Sequence, residues 1–274
     1  MGDKSLRTGL IISGGVVLAV FLAGMISPFV TYVPADDVSY DRVLLSPSWD
    51  YIFGTDAQGR GIAIRLFKGV EAFFLPGLFA AGIATVVGAL AGAIAGYAEG
   101  WVRSSVIGVL QLIDTLPRLV FIILVCTIME PTIYLIAFFA GILFIPAIAT
   151  PIRRRVETLG SEDYILAYVA HGFRPIRILL YHILWLQCRP MLIRQASYVF
   201  AYVLFVETAL SYLGDYGVQE PTPSWGNMIA QARELPPGSI PWPWVTAALA
   251  VVVTIAGFLA FGNLLARRDE SEAR

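Results

Sequence analysis

Long uncharged stretches alternate with short charged ones along the chain. Residues 8–35 carry no charged side chain, and neither do residues 72–98. Each run is longer than the roughly 20 residues, at about 1.5 Å of rise each, that take a helix across about 30 Å of hydrocarbon. The pattern predicts six spans: about 10–30, 72–97, one within 102–129, then 133–152, 194–213 and 245–266. No ten-residue segments alternate with a period of two, as a membrane barrel requires. Helices are the other way to satisfy backbone groups in lipid. The expected fold class is therefore all-α integral membrane, with six transmembrane helices.

The first run follows Lys4 and Arg7, as a secretory signal would. A signal core is about 7–15 residues, and this run is longer, without a small-residue cleavage site ahead of Pro28. It reads as a retained span. Hydrophobic residues make up 57% of the chain and charged ones 14%, against about 25% charged in soluble domains. The net charge of −1 says little, because the charges are segregated into loops. No basic face interleaved with aromatics suggests a nucleic-acid partner. Cys126 lies in an apolar run and Cys188 in a basic segment, a placement that suggests neither a disulfide nor a metal site.

Orientation follows from Lys and Arg near the span ends. Segment 151–194 carries Arg153, Arg154, Arg155, Arg174, Arg177, Arg189 and Arg194. The N-terminus adds Lys4 and Arg7, and the C-terminus Arg267, Arg268 and Arg274. Six spans put all three regions on one side, expected to be the cytoplasm. Segments 31–71 and 214–244 fall on the other, although Arg42, Arg60, Arg65 and Lys68 run against the rule there.

Several positions stand out within the spans. Ala80, Ala84, Gly88, Gly92 and Gly96 recur every four residues, a stripe that lets a neighbouring backbone approach. The neighbour is either this chain's own bundle or another subunit. Glu207 sits deep in the fifth span, where a carboxylate faces a cavity, a partner or a hydrogen bond. Asp114 and Arg118, four apart, suit an ion pair on one helix face, and Pro117 between them should kink that helix. These three are the translocation-pathway candidates.

Segment 153–190 reads as helix, glycine, helix. Glu162 and Asp163 suit a first turn, Gly172 a C-terminal stop and Pro175 the opening of the next helix. Tyr164, Ala167, Tyr168, Ile176, Leu179, Leu180 and Ile183 recur at helical spacing, an apolar face for a partner's groove. The competing reading is an amphipathic pair lying on anionic lipid. In the opposite loops, Trp49, Trp225, Trp242 and Trp244 suit headgroup anchoring, and a lid or a docking surface is the alternative. Ser224 is a candidate cap for a short helix over about 226–234.

Four stretches carry a family resemblance. Phe53-Gly54-Thr55-Asp56-Ala57-Gln58-Gly59-Arg60-Gly61 is followed by Arg65-Leu66 and Gly69. The glycine stripe runs into Tyr97. The basic segment keeps its central Gly172. Glu207-Thr208-Ala209-Leu210-Ser211-Tyr212-Leu213-Gly214 precedes Pro221-Thr222-Pro223-Ser224-Trp225-Gly226-Asn227-Met228. Together these resemble the membrane-spanning permease subunits of bacterial ABC importers of the dipeptide/oligopeptide/nickel class, in particular the second, C-type permease. The resemblance covers about residues 50–265. Four departures stand out, one of them Ile183-Leu184-Trp185 in place of the coupling loop's terminal Ile-Leu-Pro. Leu166-Ala167-Tyr168 replaces the Glu-Ala-Ala of the coupling loop, Gly61 replaces an aspartate, and Leu213-Gly214-Asp215-Tyr216-Gly217 replaces Leu-Gly-Leu-Gly.

The resemblance implies a type I ABC importer permease fold with cytoplasmic coupling helices, in a bacterial inner membrane with both termini cytoplasmic. It implies a second permease, two ATPase subunits or domains that hold ATP and Mg, and a periplasmic or lipid-anchored substrate-binding protein. The chain itself has no phosphate-binding GxxxxGK[ST] pattern, so no cofactor is expected in it. The resemblance makes Glu162, Asp163, Tyr164, Ala167, Tyr168, Gly172, Pro175, Ile176 and Leu179 ATPase-coupling residues. It makes Gly54, Thr55, Asp56, Gly59, Arg60, Pro223, Ser224, Trp225 and Gly226 a periplasmic signature. The expected division is 1–35 (tail and first span), 36–71 (periplasmic loop), 72–266 (permease core with coupling loop 153–190 and periplasmic loop 214–244) and 267–274 (cytoplasmic tail). His171 and His182 are the only histidines, and no HExxH or GxSxG pattern accompanies them, which disfavours an enzyme. A non-transporting membrane receptor or scaffold partner of an ATPase, with a degenerate coupling loop, is the alternative function.

Overall fold

The computed structural model describes residues 3–30, 38–160, 162–213, 216–233 and 242–272. It is helical almost throughout; among the described residues the one β feature is an isolated bridge between Thr55 and Gly61. The helices are α1 (Asp3–Ile26), α2 (Ile62–Lys68), α3 (Phe74–Tyr97), α4 (Gly100–Asp114), α5 (Arg118–Ile128), α6 (Ile133–Leu143) and α7 (Ile145–Gly160). They continue with α8 (Asp163–Ala170), α9 (Pro175–Trp185), α10 (Arg189–Leu213), α11 (Trp225–Ala230) and α12 (Trp242–Glu272). Five stretches are long and apolar enough to span a membrane, and α4 with α5 makes a sixth when counted as one bent span.

The spans depart from the sequence expectation most clearly at the third and the fourth. Pro117 does more than kink the third span. It sits in extended backbone, and α4 and α5 meet at 78°. The fourth span does not stop at 152 but runs to Gly160. Ile152, Val156 and Leu159 are all buried, so the core-facing stripe of an amphipathic helix continues past the last lipid-compatible turn. Arg153, Arg154 and Arg155 therefore lie on α7 rather than in a loop.

The glycine stripe packs inside the chain's own bundle. A Cβ at Gly88 would fall 2.8 Å from Ile148 Cβ, one at Gly92 2.5 Å from the Ala149 carbonyl oxygen, and one at Gly96 2.8 Å from that of Arg153. Gly141 in turn lies against Ala80. Both helices advance together, so α3 and α6–α7 are parallel neighbours. The chain must recross the bilayer between them, and α4–α5 is the segment that does so. Lipid supplies no hydrophobic drive between spans, so such close backbone packing is a main source of cohesion.

Helix α12 runs antiparallel to α1 and α10. Gly9 meets Leu264, Gly14 meets Phe261, and Val16 meets Gly257. Phe200 stacks on Phe258 at 4.2 Å, and Arg189 pairs with Asp269 at 2.8 Å. The start of α1, the end of α12, the start of α10 and the end of α7 therefore share one end of the bundle. The opposite end holds residues 38–61, α2 and α11.

Candidate functional site

At the end away from the termini, two loops form one clasp. Gly54 and Gly59 have φ of +78° and +77°, where a Cβ is strained. Between them Asp56 organises a turn. Its Oδ1 accepts the N–H of Gln58 and of Arg60, each at 2.9 Å, and its Oδ2 accepts Arg60 Nε at 2.8 Å. Thr55 Oγ1 accepts the Leu45 N–H at 2.8 Å and donates to the Arg42 carbonyl. Glu220 reaches in from the other loop. Its Oε2 accepts Arg60 Nη1 at 2.7 Å and its Oε1 accepts Arg65 Nη2 at 2.8 Å.

Asp56, Arg60 and Arg65 are buried, and Glu220 is 37% exposed. Burial opposes the charge of Arg60, but Glu220 and Asp56 outweigh it and hold the guanidinium above its ordinary pKa. Lys68 pairs with Glu71 at 3.1 Å. Three of the basic residues that ran against the charge rule are thus neutralised locally.

The second loop locks on through Trp225. Its Nε1 donates to the Leu66 carbonyl at 2.8 Å, and its ring lies 4.8 Å from that of Phe73. Ser224 and Asn227 form a reciprocal capping box at the start of α11, which satisfies donors that a helix start leaves open. The helix predicted over 226–234 is there, shorter, with a 3₁₀ turn over Gln231–Arg233. Pro223, Ser224, Trp225 and Gly226 are all buried. A Cβ at Gly226 would fall 2.6 Å from the Thr208 carbonyl oxygen, so α11 lies directly on α10.

Glu207 sits beneath this contact and is fully buried. Ser211 Oγ donates to its Oε1 at 2.7 Å, and the Val218 N–H donates to Ser211 Oγ at 2.8 Å. The arrangement ties α10 to the loop above it. It encloses Glu207 between α10 and α11 in this conformation.

At the other end, α8 and α9 form two short rods. Gly172 has φ +76°. The His171 N–H bonds to the Ala167 carbonyl at 2.9 Å and the Phe173 N–H to the Tyr168 carbonyl at 3.1 Å, the closure of a Schellman stop. Tyr168 and Phe173 supply its apolar contact, their rings 5.3 Å apart. The His182 ring, 4.2 Å from Tyr168, joins the second rod to the same cluster. Pro175 opens α9. Glu162 and Asp163 are exposed, and Asp163 occupies the first turn of α8.

The predicted outward face of the rods is split. Ile178–Trp185 winds as a π-helix, closing i→i+5 rather than i→i+4. Leu179 and Ile183 turn inward with Ile178 and Leu184 against the buried core, while Ile176, Leu180, Tyr181 and Trp185 are exposed. Ala167 is exposed and Tyr168 half-buried. The Lys4, Tyr164 and Leu166 side chains, and Gly214, Asp215 and Arg274, lie outside the described residues.

Asp114 and Arg118 meet across the Pro117 break. Arg118 Nη2 lies 3.5 Å from Asp114 Oδ1, and Arg118 Nε donates to the Leu143 carbonyl at 3.3 Å. The guanidinium carbon sits 4.3 Å over the Phe144 ring. Phe144 contacts Tyr202 at 4.7 Å and Tyr198 at 5.6 Å.

Sequence reading did not single out Glu220, Phe144, Tyr198 or Tyr202. Glu220 had one signal, an acid directly before the Pro-Thr-Pro-Ser-Trp run. Among the described residues no three His, Cys, Asp or Glu side chains come together to hold a metal ion.

Residues 88–269 match the family model described as "Binding-protein-dependent transport system inner membrane component". The chain is 28% identical over 254 residues to the dipeptide transport system permease protein DppC of Alkalihalophilus pseudofirmus, covering 93% of this chain and 81% of that protein. It is 30% identical over 224 residues to the di/tripeptide transport system permease protein DppC of Pseudomonas aeruginosa, covering 80% and 73%. It is 27% identical over 263 residues to the oligopeptide transport system permease protein OppC of Haemophilus influenzae, covering 95% and 82%.

Proposed function

The chain belongs to the family of binding-protein-dependent transport system inner membrane components, and on that premise we propose that it forms half of the translocation pathway of an ATP-driven peptide importer. It is a multi-pass membrane permease rather than an enzyme. The peptide substrate rests on the names of its relatives, which handle dipeptides, di/tripeptides and oligopeptides. A second permease completes the pathway, two ATPase subunits or domains bind ATP with Mg, and a periplasmic or lipid-anchored binding protein delivers the cargo. The end of the bundle that gathers the termini and Arg153, Arg154, Arg155, Arg174 and Arg177 faces the cytoplasm, following the charge rule.

The observation that carries this reading is the pair of rods. Each is anchored to the bundle on one side, by Ile165 on α8 and by Ile178, Leu179, Ile183 and Leu184 on α9. Each keeps an exposed face on the other. An ATPase gripping the exposed face pulls on the end of α7, and α7 is welded to α3 by the glycine contacts. A displacement at one end then travels along this parallel pair as a rigid body toward the clasp. The intact Gly172 stop and the Tyr168–Phe173–His182 cluster favour a mechanical handle over a non-transporting receptor.

Gly172→Val tests it in vesicles holding the whole transporter. A Cβ there meets nothing within 4 Å, so the substitution acts through the backbone at positive φ. The expected result is continued ATP hydrolysis with peptide uptake lowered at least tenfold. Uptake at the wild-type level would overturn the assignment of the rods.

A further inference from the structure

The Asp114–Arg118 pair lies near mid-depth of the bundle. Arg118 bonds to Leu143 and stacks on Phe144, at the junction of α6 and α7 and close to the middle of the span Ile133–Gly160. The pair nevertheless lies on the surface of this chain. Asp114 is 60% exposed, Arg118 32% and Tyr198 44%. Two charges at that depth do not face lipid tails. They face water in a pathway or a group that pairs with them.

Their mutual contact leaves capacity on both. One Nη2–Oδ1 approach of 3.5 Å is longer than a charge-assisted hydrogen bond. Arg118 is held from behind by the Leu143 carbonyl and the Phe144 face, which aims the guanidinium without using up its fork of donors. Asp114 sits at the last turn of α4 with most of its carboxylate open. The two groups therefore present one cation and one anion, side by side, beside the aromatic surface of Tyr198 and Tyr202.

We infer that this cluster takes the charged ends of a zwitterionic short peptide during passage, Arg118 receiving the α-carboxylate and Asp114 the α-ammonium. The inference rests on the peptide-permease reading above and adds its substrate contact. Every unmodified peptide carries these two ends whatever its side chains. A site that reads the ends, flanked by aromatic rings that tolerate varied neighbours, suits a pathway for many sequences. The break at Pro117 is what brings the pair to this depth, since it turns α5 by 78° away from the line of α4.

The test is uptake of a free-ended dipeptide, at saturating concentration, by vesicles holding the whole transporter. The variants are Arg118→Gln, Arg118→Lys, Asp114→Asn and the exchange D114R/R118D. Co-purification of the second permease measures assembly. R118Q and D114N are expected to assemble yet lower uptake at least tenfold, R118K to retain more uptake than R118Q, and the exchange to restore nothing. Restored uptake in the exchange variant would mean that the charges serve only each other. Loss of the second permease from R118Q would mean that they pair across the subunit interface. Unchanged uptake in both single variants would mean no role in passage. Each of these three overturns the inference. A wild-type complex that hydrolyses ATP but moves no peptide fails differently: it removes the function proposed above, and this inference with it.

Discussion

The indole N–H of Trp225 donates to the carbonyl of Leu66 at 2.8 Å, across 159 residues of sequence. The two loop signatures, so far apart in the chain, are thereby halves of one clasp at the loop end of the bundle. Trp225→Phe keeps most of the ring against Phe73 and removes the donor. It should cost about 1 kcal/mol, the net worth of a typical hydrogen bond. Trp225→Ala also empties the space and should cost about 3–5 kcal/mol. Thermal unfolding of the purified protein in detergent would rank the two, and equal melting temperatures would contradict the geometry.

The charges in the clasp should rank by burial. Asp56 is 1% exposed and Glu220 37%. Asp56→Asn leaves Arg60 and Arg65 undercompensated where water does not reach, a loss of about 3–5 kcal/mol. Glu220→Gln acts on the same arginines from a wetter site, where solvent screens the loss, and about 1–3 kcal/mol is expected. Denaturation of the two variants side by side checks the order.

The glycine stripe makes a paired prediction. Gly92→Ala puts a Cβ 2.5 Å from the Ala149 carbonyl oxygen and 3.0 Å from its Cα, both backbone, so α3 and α7 must move apart. Overpacking of this kind costs about 1–3 kcal/mol. Gly82→Ala on the same helix meets nothing within 4 Å and should be neutral or stabilising by up to about 1 kcal/mol. A melting-temperature comparison decides it.

Thiol labelling separates the two ends and the interior. Cys188 is fully buried, and burial pushes its thiol up to about 11 against the pull of Arg155. Almost no thiolate forms at pH 7, so maleimide should label Cys188 far more slowly than a cysteine placed at exposed Trp49 or Ala167. The unfolded thiol titrates near 9.0. This group's contribution to stability is therefore present below that pH and lost as pH rises toward about 11. In intact cells an impermeant maleimide should reach W49C and not A167C; the reverse pattern would invert the proposed orientation.

Much of the fold was readable because its signals are local. The apolar runs located the spans, the four-residue spacing from Ala80 to Gly96 marked a packing face, and Gly172 and Ser224 marked helix ends by their backbone chemistry. What escaped depends on partners far away in sequence or on winding. Arg60 and Glu220 are 160 residues apart, and nothing local to either announces the other. The π-winding of Ile178–Trp185 rotates Leu179 inward, a choice that i, i+3, i+4 spacing does not encode. Arg153, Arg154 and Arg155 read as loop because their charge ends the lipid-compatible run, while Val156 and Leu159 keep the helix docked on the core. The cradle of Arg118 on Phe144 exists only once α5 folds across the α6–α7 junction.

On the proposed function, α8 and α9 are the handle by which an ATPase moves this bundle. Site-directed cross-linking in the assembled transporter tests it most directly, with single cysteines at exposed Ala167, Ile176 and Tyr181, and at exposed Phe79 on α3 as the control. Cross-links to the ATPase are expected from the three rod positions, varying with bound nucleotide, and none from position 79. A complex that retains its ATPase yet gives no cross-link from any rod position would contradict it.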